Sequence, residues 1–379
     1  MLDQPQTDPD VTETLRIERG ICHVMFAYDA ARSIDLDAAE RRIHETSARQ
    51  TLRHKRRAPS YLEYRPPPLR VTHRSGDLEI GSFSTRPNVE LLLYDFGAVA
   101  VNYSIELSSS FDQLLPLSEQ LYDNALLLSD SRKRIDEVLA TIGEAATQPQ
   151  VAPMVEDYVV FHIESLSRPF GAPHLQDFYG RQVAQILRAE NRPLSDQEVE
   201  DALSATLSYG VDDVVIIDWN AALIVDREGE DIREVLQFAN VELLEMRHLD
   251  HRLSWALDRS YETLLKRPAG LRRKLGRYGA ELRAIGEWQV DNATLFEGVN
   301  NALKLLGDQY LARAYRLVSR RFHLDDWDAG ILRKLQTLES IYKTVSDQAT
   351  TRRMEVLEWV IIILFLVSIG LEVLRLRFP

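Results

Sequence analysis

The spacing of apolar positions changes character once along the chain, near Arg227. Before it, short apolar runs alternate with turn residues. The run ICHVMFAY within Leu15–Ala27 predicts a strand, and Asp35–Arg49 a helix with a thin stripe of Leu36, Ala39 and Ile43. A basic turn, Arg53–Arg57, and the prolines Pro66–Pro68 interrupt. Strands are predicted over Leu69–His73, Leu78–Phe83, Val89–Tyr94 and Ala98–Leu107, with Ser75-Gly76-Asp77 and Asp95-Phe96-Gly97 as turns. Helices follow over Phe111–Leu128 and Ser131–Thr147, ended by Pro149 and Pro153. Val155–Ile163 reads as a strand and Leu175–Glu190 as a helix. Ser195–Leu207 reads as a helix opened by Ser195 and Glu198 as a capping box. Val211–Ile217 and Ala221–Asp226 pair as a hairpin through Asp218-Trp219-Asn220.

Beyond Arg227 proline nearly vanishes and apolar residues recur every three or four positions. Ile232, Leu236, Ala239, Leu243, Met246, Leu253, Leu257 and Leu264 share one seam, with Asp250 and Ser260 as its polar steps. Pro268 ends that helix. Another is predicted over Thr294–Ser319. The last starts near Asp328, capped by Asp325 or Asp326, and carries Ile331, Leu335, Leu338, Tyr342 and Val345 in step. These seams suit either an intramolecular bundle or pairing between chains. The last seam runs into EVLEWVIIILFLVSIGLEVLRLRFP, where Trp359–Leu371 carries no charge and Trp359 stands where an interfacial aromatic belongs. The expectation is a transmembrane helix over 356–376 that continues the stalk. The residues preceding it would lie in the cytoplasm and the protein in the inner membrane.

Composition narrows the function classes. There are 45 basic and 58 acidic residues, a formal charge of −13, which argues against bulk attraction to nucleic acid. Cys22 is the one cysteine, so neither an intrachain disulfide nor a cysteine-based zinc site can form. The N-terminal stretch is acidic and lacks an apolar run, so it reads as a disordered tail over 1–14 and not as a secretion signal. No phosphate-binding glycine loop, Gly-x-Ser-x-Gly or His-Glu-x-x-His is present. His44-Glu45 begins the last of these, but Ala48 stands where the second histidine should. His248 and His251 read as a solvated pair. The best acidic cluster is Asp212, Asp213, Asp218 and Asp226, strand-end carboxylates weighed as a weak candidate for a divalent cation against ordinary turn aspartates. Lys266, Arg267, Arg272, Arg273, Lys274, Arg277 and Arg283 form a basic segment suited to anionic lipid or RNA phosphate, or to a solvated face.

Leu357, Glu358, Trp359 and Glu372 in the closing segment, with YDFGAVAV at Tyr94–Val101, resemble the RMND1/Sif2/Sif3 (DUF155) family. That resemblance implies a divergent bacterial member, homo-oligomerisation and a link to translation, and it carries over no catalytic residue.

The combined expectation is an α+β cytoplasmic domain over 15–226 with antiparallel strands, a long-helix bundle or coiled-coil stalk over 227–355, and an anchor over 356–376. The function expected is a membrane-tethered, self-associating scaffold without a cofactor or catalytic residues, holding an unknown cytosolic partner near the bilayer. The alternative is a metal-dependent enzyme using Asp212–Asp226.

Overall fold

The computed structural model describes residues 15–47, 53–54, 66–168, 172–265, 309–341, 343, 362 and 364. One large sheet organises most of them. Its strands are Ile17–Asp29 (β1), Arg53–His54 (β2), Leu69–Arg74 (β3), Asn88–Leu93 (β4), Ala98–Leu107 (β5), Glu156–Leu166 (β6), Thr206–Leu207 (β7), Val214–Ile217 (β8) and Ala221–Val225 (β9). They lie in the order β7-β8-β9-β6-β1-β5-β4-β3-β2. Every neighbouring pair is antiparallel except β6 and β9. The helices are Leu36–Ser47 (α1), Leu114–Leu121 (α2), Ala125–Ile142 (α3), Ala172–Arg188 (α4), Asp196–Leu203 (α5), Glu230–Leu265 (α6) and Gln309–Arg321 (α7), and 324–341 is also helical.

Alternation along each strand sorts side chains between two faces. Val24, Phe26 and Tyr28 of β1, Val101 and Tyr103 of β5, and Val159 and Phe161 of β6 join one apolar cluster with residues of α1–α4. Filling one such position with a Val, Leu, Ile or Phe contributes about 1.5–3 kcal/mol. Helix α6 crosses the opposite face, where Asn240 Nδ2 donates to the Glu156 carbonyl at 3.3 Å. Helix α7 joins it there. Tyr315 donates to Glu242 at 2.7 Å, and the Tyr158 ring meets Phe322 edge-on at 5.2 Å.

Local chemistry explains the boundaries. The Asp95-Phe96-Gly97 turn needs its glycine: Gly97 has φ +104°, and a Cβ there would sit 1.8 Å from the Ala31 carbonyl oxygen. Ser195 caps α5 as read, accepting from the Glu198 amide at 3.3 Å. The break between α2 and α3 falls earlier than the periodicity suggested, because Asp123 takes φ 47° and Asn124 caps α3 through the Leu127 amide at 2.9 Å. The strand expected over Leu78–Phe83 is a miniature hairpin, Glu79–Ile80 with Phe83–Ser84, turned at Gly81 with φ 59°.

The described residues group into two compact units, the first up to His248 together with 309–327, the second containing 249–265 and 328–341. In the second, Lys334 Nζ reaches Asp250 Oδ1 at 2.6 Å and Ser254 Oγ at 2.7 Å. Trp255, Tyr261 and Leu332 are exposed there.

The helix starting at Glu230 follows the intramolecular alternative over its first part, where none of residues 232–242 is exposed; the seam beyond His248 belongs to the second unit. The expected single-pass anchor and the inner-membrane location it implied are not borne out: among the described residues no helix is long and apolar enough to cross a membrane. Apart from residues 362 and 364, the segment 356–376 lies outside the described residues. Leu357, Glu358, Trp359 and Glu372 themselves lie outside the described residues, as does the basic segment Lys266–Arg283. The α+β domain with stalk and anchor gives way to a mixed α/β protein with a large N-terminal sheet.

Candidate functional site

The face under α6 is built differently from the apolar face. Arg233, one turn into the helix, is 2% exposed. Its Nε and Nη2 donate to the two Glu230 carboxylate oxygens at 3.0 and 2.5 Å, and its Nη1 donates to Gln237 Oε1 at 3.0 Å. Asn102 Nδ2 on β5 reaches the same Gln237 oxygen at 2.8 Å. Further along, Arg70 on β3 donates to Glu234 at 2.8 Å and to Glu90 on β4 at 3.0 Å. Three carboxylates, Glu90, Glu230 and Glu234, thus meet two guanidiniums, Arg70 and Arg233, and one negative charge is left in excess when all are ionised. Burial raises the Glu234 carboxyl, against the pull of Arg70 and Arg233. Several atoms in this layer have no hydrogen-bond partner, among them His23 Nε2, Arg70 Nε, Asn102 Oδ1 and Glu234 Oε2.

At the start of α6 this network meets two histidines. His23 on β1 lies opposite Val160, and His162 on β6 lies opposite Ile21, so the two project from the same face as diagonal neighbours. Their rings are 6.4 Å apart and stacked. One donor atom each from His23, His162 and Glu230 lies within 4.8 Å of the others. Both histidines are buried, at 8% and 5% exposure, while Glu230 stands at the rim. Burial first, and then the Arg233 charge, push His23 well below the usual imidazole range, so it is a neutral ring with a free lone pair. Burial alone would raise the Glu230 carboxyl. The hydrogen bonds and charge of Arg233 outweigh it and hold the group down to about 2. His162 Nε2 lies 2.9 Å from the Asp226 carbonyl oxygen. Donation there fixes the tautomer that leaves Nδ1 with the lone pair, the second-shell pattern common to metal-binding imidazoles. Gly229 permits the close approach: a Cβ would sit 2.8 Å from His162 Nε2 and 2.6 Å from Ile224 Cγ2. The cluster stands beside the carboxyl ends of the parallel pair β6 and β9 and the N-terminus of α6, where open α/β sheets place ligands. Two imidazoles and a carboxylate suit a first-row divalent ion.

The aspartates singled out in the sequence do other work. Asp218 is fully buried. It accepts from Arg188 Nε at 3.0 Å and Arg321 Nε at 2.8 Å, and Asp201 takes the same two guanidiniums at 2.6 and 2.8 Å. This clamp ties α4, α5, the β8–β9 turn and α7 together. Asp213 accepts from the Tyr209 amide at 2.8 Å and from the Gly210 amide, and Asp226 accepts from the Glu228 amide at 2.9 Å. Asp212 is exposed. Asp218 lies at one end of the β8–β9 hairpin and Asp213 and Asp226 at the other, so the four do not converge. His248 lies 2.9 Å from Asp29. Sequence reasoning missed His23 and His162, although each is the lone histidine inside a strand it had identified.

Known proteins place the chain without naming an activity. No solved structure matches it. Over 200 residues it is 24% identical to an uncharacterized protein, MJ0711, of Methanocaldococcus jannaschii, an alignment covering 51% of this chain and 59% of that protein. The family model for the N-terminal domain of that protein matches residues 19–231, more than half of the chain and all three members of the cluster. This overturns the resemblance to the DUF155 family, which rested on the closing segment, outside the matched region, and on Tyr94–Val101, inside it. By that match, the chain belongs to the family defined by the N-terminal domain of uncharacterized protein MJ0711.

Proposed function

We propose that this chain is a metal-dependent protein whose working centre is a divalent transition ion held by His23, His162 and Glu230. The observation that carries the reading is His23: a buried imidazole whose Nε2 has no hydrogen-bond partner, in a cluster whose donor atoms lie within 4.8 Å of one another. An unsatisfied buried donor or acceptor costs about 1–3 kcal/mol, and an ion would relieve it. The excess negative charge of the surrounding network favours a cation over a neutral ligand. Three protein donors are the number typical of a catalytic ion, since structural zinc sites usually have four. The remaining positions would take water, and zinc-type acidification of that water supports hydrolytic chemistry. Equilibrium dialysis against Zn2+ tests this. The expectation is one ion per wild-type chain, with stoichiometric binding lost in His23→Ala and His162→Ala. Undiminished binding by both variants would refute it.

A second reading, partner binding or self-association through the second unit, is supported by the exposure of Trp255, Tyr261 and Leu332. Light scattering checks it. Replacing all three with polar residues should lower the mass of any assembly, and an unchanged mass would count against this surface.

A further inference from the structure

Resting on the metal reading, we infer that the loaded centre takes a small oxyanion, a carboxylate or a phosphate, as its exchangeable ligand. Three features of the His23–His162–Glu230 cluster lead there. The first is charge. Glu90, Glu230 and Glu234 exceed Arg70 and Arg233 by one negative charge, and an imidazole that ligates a metal adds none. A divalent ion therefore turns a buried network with one excess negative charge into one with a single excess positive charge. Uncompensated charge in a buried setting is costly, and a monoanion completing the coordination sphere removes it.

The second feature is access. His23 and His162 are buried beneath α6, whereas Glu230, the first residue of that helix, is more than half exposed. Glu230 is the donor of the three that meets solvent, so an exchangeable ligand would arrive on its side of the cluster. The third feature is the α6 N-terminus, where Glu230 stands: its first amides lack intrahelical acceptors and favour an anion. The Arg233 guanidinium stays with Glu230, since each carboxylate oxygen has a second lone pair to offer an ion. Arg233 therefore keeps the ligand in place without competing for the incoming anion.

Cobalt(II) in the full chain provides the readout, because its visible bands report changes in the coordination sphere. The loaded protein is titrated separately with inorganic phosphate and with acetate. A saturable change in the bands with at least one anion is expected, and the tighter of the two identifies the class. Glu234→Gln removes one negative charge without touching a proposed ligand, so it should tighten anion binding severalfold; its circular dichroism and cobalt content verify that it folds and loads. The wild-type titration decides the matter should that variant not fold. Stoichiometric cobalt whose bands respond to neither anion overturns the oxyanion proposal and leaves the metal reading intact. Weaker anion binding in a loaded Glu234→Gln also overturns it. Failure to take up cobalt at all overturns both.

Discussion

The two faces of the sheet are made from the same strands and solve opposite problems. On one, Val24, Phe26, Tyr103 and Phe161 pack with α1–α4 into an apolar cluster. On the other, the residues next to them in sequence, His23, Asn102 and His162, meet Arg233, Glu234 and Gln237 of α6, and several polar atoms stay unsatisfied. Apolar burial stabilises in proportion to area. Buried polar groups left partly unpaired weaken a fold unless something completes them. The difference teaches that the apolar face maintains the fold and that the α6 face is where a ligand has something to supply.

Substitutions on the two faces should therefore behave differently. The largest effect is expected from Phe161→Ala on the apolar face, a loss of about 3–5 kcal/mol in chemical denaturation, with zinc stoichiometry intact in the folded fraction. Loss of metal without loss of stability would break the comparison.

Next comes pH dependence, which belongs to the α6 face. Burial raises the Glu242 carboxyl to about 7, opposed by the hydrogen bond from Tyr315, while Asp325 adds to the rise. A carboxyl raised in the folded state contributes stability that is complete below the unfolded value near 4.5 and is lost as pH climbs toward 7. Each such group adds a slope of about −1.4 kcal/mol per pH unit within that window. Glu242→Gln should flatten the decline, measured by denaturation at successive pH values. An unaltered slope would remove Glu242 as its source.

Gly229→Ala should cost about 1–3 kcal/mol through crowding of Ile224 and His162, and should weaken zinc binding as well. Equal zinc affinity in calorimetry would show that the start of α6 is not critical to the cluster. The smallest stability effect is predicted for His23→Leu. Without metal it should be within about 1 kcal/mol of wild type or more stable, because it removes an unpaired nitrogen, yet it should abolish zinc binding.

Much of the fold was legible because local signals agreed with it. β5 and the β8–β9 hairpin followed from apolar runs and turn residues, and Ser195 announced α5. The site was hidden for physical reasons. Both faces of β1 and β6 are buried, so neither strand alternates in a way that marks His23 or His162 as special. In α6 the seam from Ile232 to Met246 was readable, but Arg233, Glu234 and Gln237 occupy positions that a surface helix would expose to water. The sheet beneath them, assembled from distant segments, makes them internal. Asp218 drew attention as a strand-end carboxylate, while its partners Arg188 and Arg321 lie 30 and 103 residues away in sequence.

The most direct measurement is anomalous diffraction at the zinc edge from crystals of the full chain grown with Zn2+. A peak is predicted at about 2.0–2.2 Å from one ring nitrogen each of His23 and His162 and from a Glu230 oxygen. No peak at this cluster, or zinc bound instead at Asp213 and Asp226, would contradict the account.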